Sequence, residues 1–190
     1  MKTIFSISIN LVFAQSTQLT PVYQYLTTKI LTAIDNGLLT GMILIGLPKA
    51  FDTIDHEIFF SKMYFFGFSK ATISWYKSYL TNRTFLVNVE NDFSSPGDLS
   101  CGVPQGLILG PLIFLFYVND MSNSVDCERL LCAYDSCLVF TGPDVKTIEA
   151  NLNRNFNSIY DWFVENKLSI HFGEDKNKYI IFGSQKSFKI

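Results

Sequence analysis

The stretch Leu130-Leu131-Cys132-Ala133-Tyr134-Asp135-Ser136-Cys137-Leu138-Val139-Phe140 decides how the rest of the chain is read. Apolar runs on either side of a short polar break are the pattern of two strands in a tight hairpin, with Asp135 at or beside the tip. A carboxylate held there on rigid strands can face a metal ion.

Outward from the hairpin, the chain reads as alternating strands and helices. Residues 16 to 35 predict a helix entered near Pro21, with Val22, Leu26, Ile30 and Ile34 forming one apolar stripe for core packing and Asn36-Gly37 ending it. Thr40 to Leu47 is nearly all apolar and predicts a strand buried on both faces, although a glycine inside such a strand weakens it. Asp52 and Asp55 read as residues that cap and start the next helix, Ile58 to Phe66. Gly67-Phe68-Ser69 is a break and cap before a helix carrying Ile73, Trp75, Tyr76, Tyr79 and Leu80, which ends near Thr81-Asn82-Arg83. Phe85 to Glu90 and Asp92 to Cys101 predict paired strands joined by a turn at Glu90-Asn91. Gly102-Val103-Pro104-Gln105-Gly106 reads as a loop whose glycines let the backbone approach a ligand closely. After it an apolar helix runs to about Tyr117 with Pro111 in its first turn. Beyond the hairpin, Val145, Ile148, Leu152, Phe156, Ile159 and Phe163 keep helical spacing behind a capping Asp144. Asn166 to Ile170 and Lys176 to Phe182 predict two short closing strands.

The bulk numbers bound the classes that remain. At 190 residues, 48% hydrophobic and 17% charged, the chain suits one globular domain with a sizeable core, or a large piece of a bigger protein, and disorder is excluded. The formal net charge of -2 argues against tight binding of a polyanion by the average surface, while a local basic face survives such an average. Four cysteines, Cys101, Cys127, Cys132 and Cys137, show no C-x-x-C spacing and only two histidines accompany them, so buried free thiols of a reducing compartment are expected rather than a zinc cage. Met1 to Ala14 is apolar-leaning but interrupted by Ser6, Ser8 and Asn10, and a secretory signal is not expected. The longest apolar run, Leu107 to Val118, falls well short of the ~20 residues a spanning helix needs, so no membrane segment is expected and the location is taken as intracellular, nucleus or cytoplasm.

Read together, Lys49-Ala50-Phe51-Asp52, Gly102-Val103-Pro104-Gln105-Gly106 followed by Leu109-Gly110-Pro111-Leu112, the hairpin, and Trp162 to Ser169 with Lys176-Asn177-Lys178 resemble, in order, the reverse transcriptase domain of non-LTR retrotransposons. The resemblance covers about residues 16 to 183, leaving 1 to 15 unassigned and 184 to 190 as a tail. It implies an α+β fold, the polymerase palm, with a ferredoxin-like antiparallel sheet backed by helices, fingers incomplete and thumb absent. It also implies RNA template, DNA primer and deoxynucleotides as partners, with Mg2+ as cofactor. By the family's pattern, Phe51 lies beneath the sugar of the incoming nucleotide and Pro104, Gln105 and Gly106 position template base and nucleotide. Lys178 or Lys176 is a nucleotide-side cation or a plain solvated lysine. Lys77 and Arg83 are candidates for template phosphate or solvated surface. Leu107 replaces the family's usual serine, a minor departure.

Two departures are not minor. The family sets three metal-binding aspartates, one where this chain has Gly46 and a pair where it has Tyr134-Asp135, so Asp135 alone remains. Nucleotidyl transfer uses two Mg2+ ions about 3.5 to 4 Å apart, and hard cations of that kind need carboxylate charge as well as lone pairs. Asp52, six residues past Gly46, is up to about 20 Å away along an extended chain and is a poor replacement. The leading expectation is therefore a palm without polymerase activity. The alternatives are a working enzyme completed by neighbouring acids or a partner chain, and a non-enzymatic binding module for nucleic acid or protein.

Overall fold

The computed structural model describes residues 20–47, 49–104, 106, 108–132, 135–168 and 178–184, with backbone alone at 20–22, 131, 132, 135 and 178. In chain order the elements are α1 (Thr20–Asp35), β1 (Leu39–Gly46), α2 (His56–Phe65), α3 (Lys70–Leu80), β2 (Thr84–Phe85), β3 (Asn88–Val89), β4 (Asp92–Phe93), β5 (Gly97–Asp98), α4 (Leu109–Val118), a 3-10 turn (Asn119–Ser124), β6 (Glu128–Cys132), β7 (Asp135–Gly142), α5 (Val145–Glu165) and β8 (Lys178–Phe182). They group into two compact units, one of residues 1–48, 121–162 and 170–190, the other of 49–120 and 163–169.

The first unit is a four-stranded antiparallel sheet in the order β6-β7-β1-β8. Strand alternation puts Thr40, Met42, Leu44 and Gly46 on one face of β1 and Leu39, Gly41, Ile43 and Ile45 on the other. On the first face Met42 lies across from Val139 and Leu44 across from Cys137. Leu26 and Ile30 of α1 pack on that cluster together with Leu130 and Phe182. Leu26 and Ile30 of the stripe expected along α1 are thus in use, and Lys29 adds an ion pair to Glu128. The second face lies under α5. A Cβ on Gly41 would run into Ile148 Cγ2 and come within 2.8 Å of Leu152 Cδ1. A glycine that weakens the strand in isolation is thus required by the helix that crosses it.

Helix ends in this unit follow local chemistry. Gly37, at φ +71°, ends α1, with Leu38 N–H donating to Ala33 O and Gly37 N–H to Ile34 O, a Schellman closure. Asp144 accepts from Thr147 N–H at 2.7 Å to start α5. Of the stripe expected along α5, Val145 and Phe156 are half-buried, whereas Asn155, outside that stripe, is buried alongside Ile148, Leu152 and Ile159. Its Oδ1 accepts from the N–H of Asp126 at 2.7 Å and of Cys127 at 3.2 Å, satisfying the chain just before β6.

The second unit packs α2, α3 and α4 around Phe59, Met63, Leu80, Ile113, Phe114 and Tyr117. Each such side chain contributes about 1.5–3 kcal/mol on burial. Asp55 takes the N-cap of α2 and accepts from Glu57 and Ile58 N–H, each at 3.0 Å, so the helix starts two residues earlier than the spacing predicts. Asp52 does not cap; it lies in a turn closed by its own N–H on Lys49 O at 2.8 Å. Ser69 caps α3 as expected.

The strands expected over Phe85 to Cys101 form as two separate two-residue ladders, β2 with β5 and β3 with β4. Glu90 and Asn91 at φ +52° and +73° make the turn between them, the two-positive-φ geometry that matches strand twist. Pro96 brings no N–H to a ladder, and Val87 N–H turns instead to Ser94 Oγ at 3.0 Å. Asn166-Lys167 is another correction. Rather than opening a strand it ends α5, with Lys167 at φ +51° and Leu168 N–H on Phe163 O at 2.9 Å. Ser169 to Asn177 lie outside the described residues, as do residues 1–19 and the tail from 185. Cys137 is buried and burial pushes its thiol up to about 12, whereas Cys101 is exposed, against the expectation of a buried thiol, because it sits at an isolated bridge to Asp55 outside either core.

Candidate functional site

Strands β6 and β7 pair antiparallel, with Cys132 across from Asp135. Asp135 is also across from Gly46, the last residue of β1. Antiparallel alternation places Gly46, Asp135 and Cys132 on the same face of the sheet, at one end of it. Two of the three positions at which the resemblance sets aspartates are therefore neighbours, in the places expected. Tyr134, the third, lies outside the described residues.

Of the three positions at which the resemblance sets acids, Gly46 brings only backbone and Tyr134 a phenol whose ordinary pKa is about 10, so these positions supply one carboxylate, fewer than a pair of Mg2+ ions calls for. Among the described residues no group of three or more His, Cys, Asp or Glu is placed to hold a metal ion. On β8, Lys178 lies across from Leu44, two residues before Gly46, and Lys176 lies outside the described residues.

The second unit holds the Gly102 to Gly106 loop against the turn at Lys49 to Asp55. Gly102 N–H donates to Ile54 O and Val103 N–H to Phe51 O, both at 2.8 Å. Gly102, at φ +81°, is needed because a Cβ would lie 2.8 Å from Asp52 O. Its close approach is thus to this chain's own backbone. Gly106, exposed and at φ +78°, has open space where a side chain would be. Pro104 is half-buried, with its carbonyl 3.1 Å from where Gly110 would carry a Cβ. Gln105 and Leu107 lie outside the described residues. Phe51 is half-buried against Phe114 of α4, ring centroids 5.2 Å apart.

Three residues that hold this loop and the segments beside it, His56, Tyr117 and Lys62, are not singled out by the sequence as such. His56 is buried and its Nε2 is 2.7 Å from Gly102 O. Tyr117 is fully buried; its hydroxyl donates to Asn166 O at 2.8 Å and receives Asp55 N–H at 3.4 Å, and burial raises its pKa well above the usual phenol value. Lys62 completes the anchor, donating to Tyr117 O at 2.7 Å and to Asp120 Oδ1 at 2.6 Å, while burial pulls its ammonium pKa down. A histidine beside a capping aspartate is the available signal, and it does not reveal a partner 46 residues away.

Lys77 and Arg83 each lie over an aromatic ring of the second unit. Lys77 Nζ is 5.9 Å from the Phe60 ring, and Arg83, over Tyr79, donates from Nε to Tyr79 O at 2.5 Å.

A four-stranded antiparallel sheet with helices packed on it, in which Asp135 pairs with the last residue of β1, is the plan of a polymerase-type palm. The chain belongs to the reverse transcriptase (RNA-dependent DNA polymerase) family, whose profile matches residues 7–189. Within it the chain is a reverse transcriptase domain of the non-LTR retrotransposon kind. It is 36% identical over 96 residues to the probable RNA-directed DNA polymerase from transposon BS of Drosophila melanogaster, an alignment covering 50% of this chain and 10% of that one. Over 155 residues it is 25% identical to the RNA-directed DNA polymerase from mobile element jockey of Drosophila funebris, covering 77% of this chain and 17% of that protein. The chain thus spans about a tenth to a sixth of the length of these relatives. Among solved structures, telomerase from Candida albicans, in complex with the TWJ fragment of telomeric RNA, superposes with a TM-score of 0.62 at 10% identity, covering 94% of this chain and 32% of that one. Apo telomerase from Candida tropicalis gives a TM-score of 0.60 at 16% identity, with 83% and 35% covered. These likenesses establish the fold. Among the described residues no helix is long and apolar enough to cross a membrane.

Proposed function

We propose that this reverse transcriptase domain does not polymerise DNA. The observation that carries the reading is the register of β1 and β7, in which Asp135 at the sheet end pairs with Gly46. Electrostatic stabilisation supplies more of the rate enhancement than any other effect in most enzymes, and losing a single polar stabiliser costs about 10² to 10³ in rate. Two missing metal ligands leave too little charge to gather the ions that the chemistry requires. The remaining family parts keep their shape in this reading. Phe51 would floor a deoxynucleotide pocket, Pro104, Gln105 and Gly106 would position template base and nucleotide, and Lys178 would face the triphosphate. RNA template and DNA primer are the partners that such parts serve.

Metal affinity tests the proposal directly. Titrated with Mn2+, the chain is expected to show no site that Asp135→Ala abolishes, while Gly46→Asp with Tyr134→Asp gains one. Primer extension supplies the activity readout. Incorporation of deoxynucleotides above that of Asp135→Ala would overturn the reading.

A further inference from the structure

The ribbon from Thr84 to Asp98 carries apolar side chains that its own unit does not bury. Phe85, Leu86, Val87, Val89 and Phe93 are each half or more exposed. The two ladders, β2 with β5 and β3 with β4, are each two-stranded, so every strand keeps one edge with no partner among the described residues. A two-stranded ribbon is marginal by itself, and neighbouring exposed apolar side chains mark a surface that another molecule covers. Unpaired strand edges take up an added strand.

Each ladder has two unlike faces. Alternation puts Thr84 and Asp98 on one face of the first, and Phe85 and Gly97 on the other. The Phe85 ring lies over that glycine, where a Cβ would come 2.8 Å from its Cζ. In the second ladder Val89 and Asp92 share one face, Asn88 and Phe93 the other. A strand laid along either ladder therefore meets a carboxylate on one face and a phenylalanine on the opposite one. Glu90, at the turn, adds a third acid. Glu90, Asp92 and Asp98 are exposed, and none of them enters an ion pair among the described residues. From Thr84 to Glu128 the sequence has no Lys, Arg or His. Arg83, just before the ribbon, is turned to α3, its guanidinium 4.6 Å over the Tyr79 ring and its Nε on Tyr79 O. Such a surface repels phosphates, and a second copy laid edge to edge would bring the same three acids.

We propose that the Thr84–Asp98 ribbon docks an extended segment of another protein in which basic and apolar residues alternate. The basic side chains of that segment pair with Glu90, Asp92 and Asp98, and its apolar side chains cover Phe85 and Phe93. The surface uses neither metal nor Asp135, so it stands whether or not the domain polymerises.

The test uses the full chain and a labelled peptide of alternating Lys and Val, read by anisotropy for affinity and by amide hydrogen exchange for location. Saturable binding that falls with salt, with exchange slowed at residues 84–98, is the expected result. Asp92→Asn with Asp98→Asn is expected to weaken it about fivefold, since exposed ion pairs are individually modest. Phe93→Thr is expected to weaken it on the order of tenfold through lost apolar cover. Asparagine keeps the size of aspartate and threonine suits a strand, so neither change removes the ribbon itself. Equal affinity for a peptide of alternating Glu and Val, equal affinity for oligolysine, slowed exchange only outside residues 84–98, or unchanged affinity in both variants would each overturn the proposal. So would protection of the same amides by an oligouridylate, or dimerisation of the chain that these variants abolish.

Discussion

Asp55 carries two duties that can be separated. Its Oδ1 caps α2, and its Oδ2 pairs with Lys167 at 2.6 Å. The hydrogen bond from Lys167 and those from the backbone N–H groups of Ile58 and Glu57 hold its carboxyl below the usual carboxylate value. A group whose folded pKa is depressed stabilises above its unfolded pKa and loses that contribution as pH falls through the folded value. Lys167 is two-thirds exposed, so the ion pair itself adds at most about 1 kcal/mol. Asp55→Asn keeps the cap and is expected to flatten the acid limb of stability against pH, whereas Asp55→Ala costs about 1–2 kcal/mol at neutral pH as well. Urea unfolding at a series of pH values reads both. The caps at Asp55, Ser69 and Asp144 are legible because donor and acceptor lie two or three residues apart. Asp52 reads as a cap on the same grounds and is not one, since composition alone does not distinguish a cap from a turn residue next to it.

Elements are legible where their apolar period is regular, and are shortened where another segment competes for their backbone. Helix α5 illustrates both. Its stripe follows the apolar spacing except that Asn155 takes a buried place, which a hydrophobic count overlooks because its value lies in the two N–H groups it satisfies 28 and 29 residues away. Asn155→Leu fits the apolar surroundings but orphans those donors, and each buried unsatisfied group costs about 1–3 kcal/mol. A fall in thermal stability of that order, with helix content by circular dichroism unchanged, is the expected outcome. The expected strand at Asn166 to Ile170 fails at its start for a related reason. Val164 and Phe163 carbonyls at the end of α5 take the N–H groups of Lys167 and Leu168 before a ladder can.

At the scale of the whole molecule, each unit has its own buried core, and the metal question becomes one of linkage. A ligand that binds only the folded state raises stability as its concentration passes its dissociation constant. Millimolar Mg2+ is therefore expected to leave the calorimetric melting midpoint of this chain where EDTA leaves it, while Gly46→Asp with Tyr134→Asp acquires a Mg2+-dependent rise. By itself the sequence determined most of the order of strands and helices, the caps at Asp55, Ser69 and Asp144 and the turn at Glu90-Asn91, all of which depend on residues a few positions apart. Only the tertiary structure decided that Gly46 sits across from Asp135 and that Gly41 must be a glycine under α5. Those facts depend on register and packing between segments brought together by the fold, and no local pattern contains the free energy that selects them.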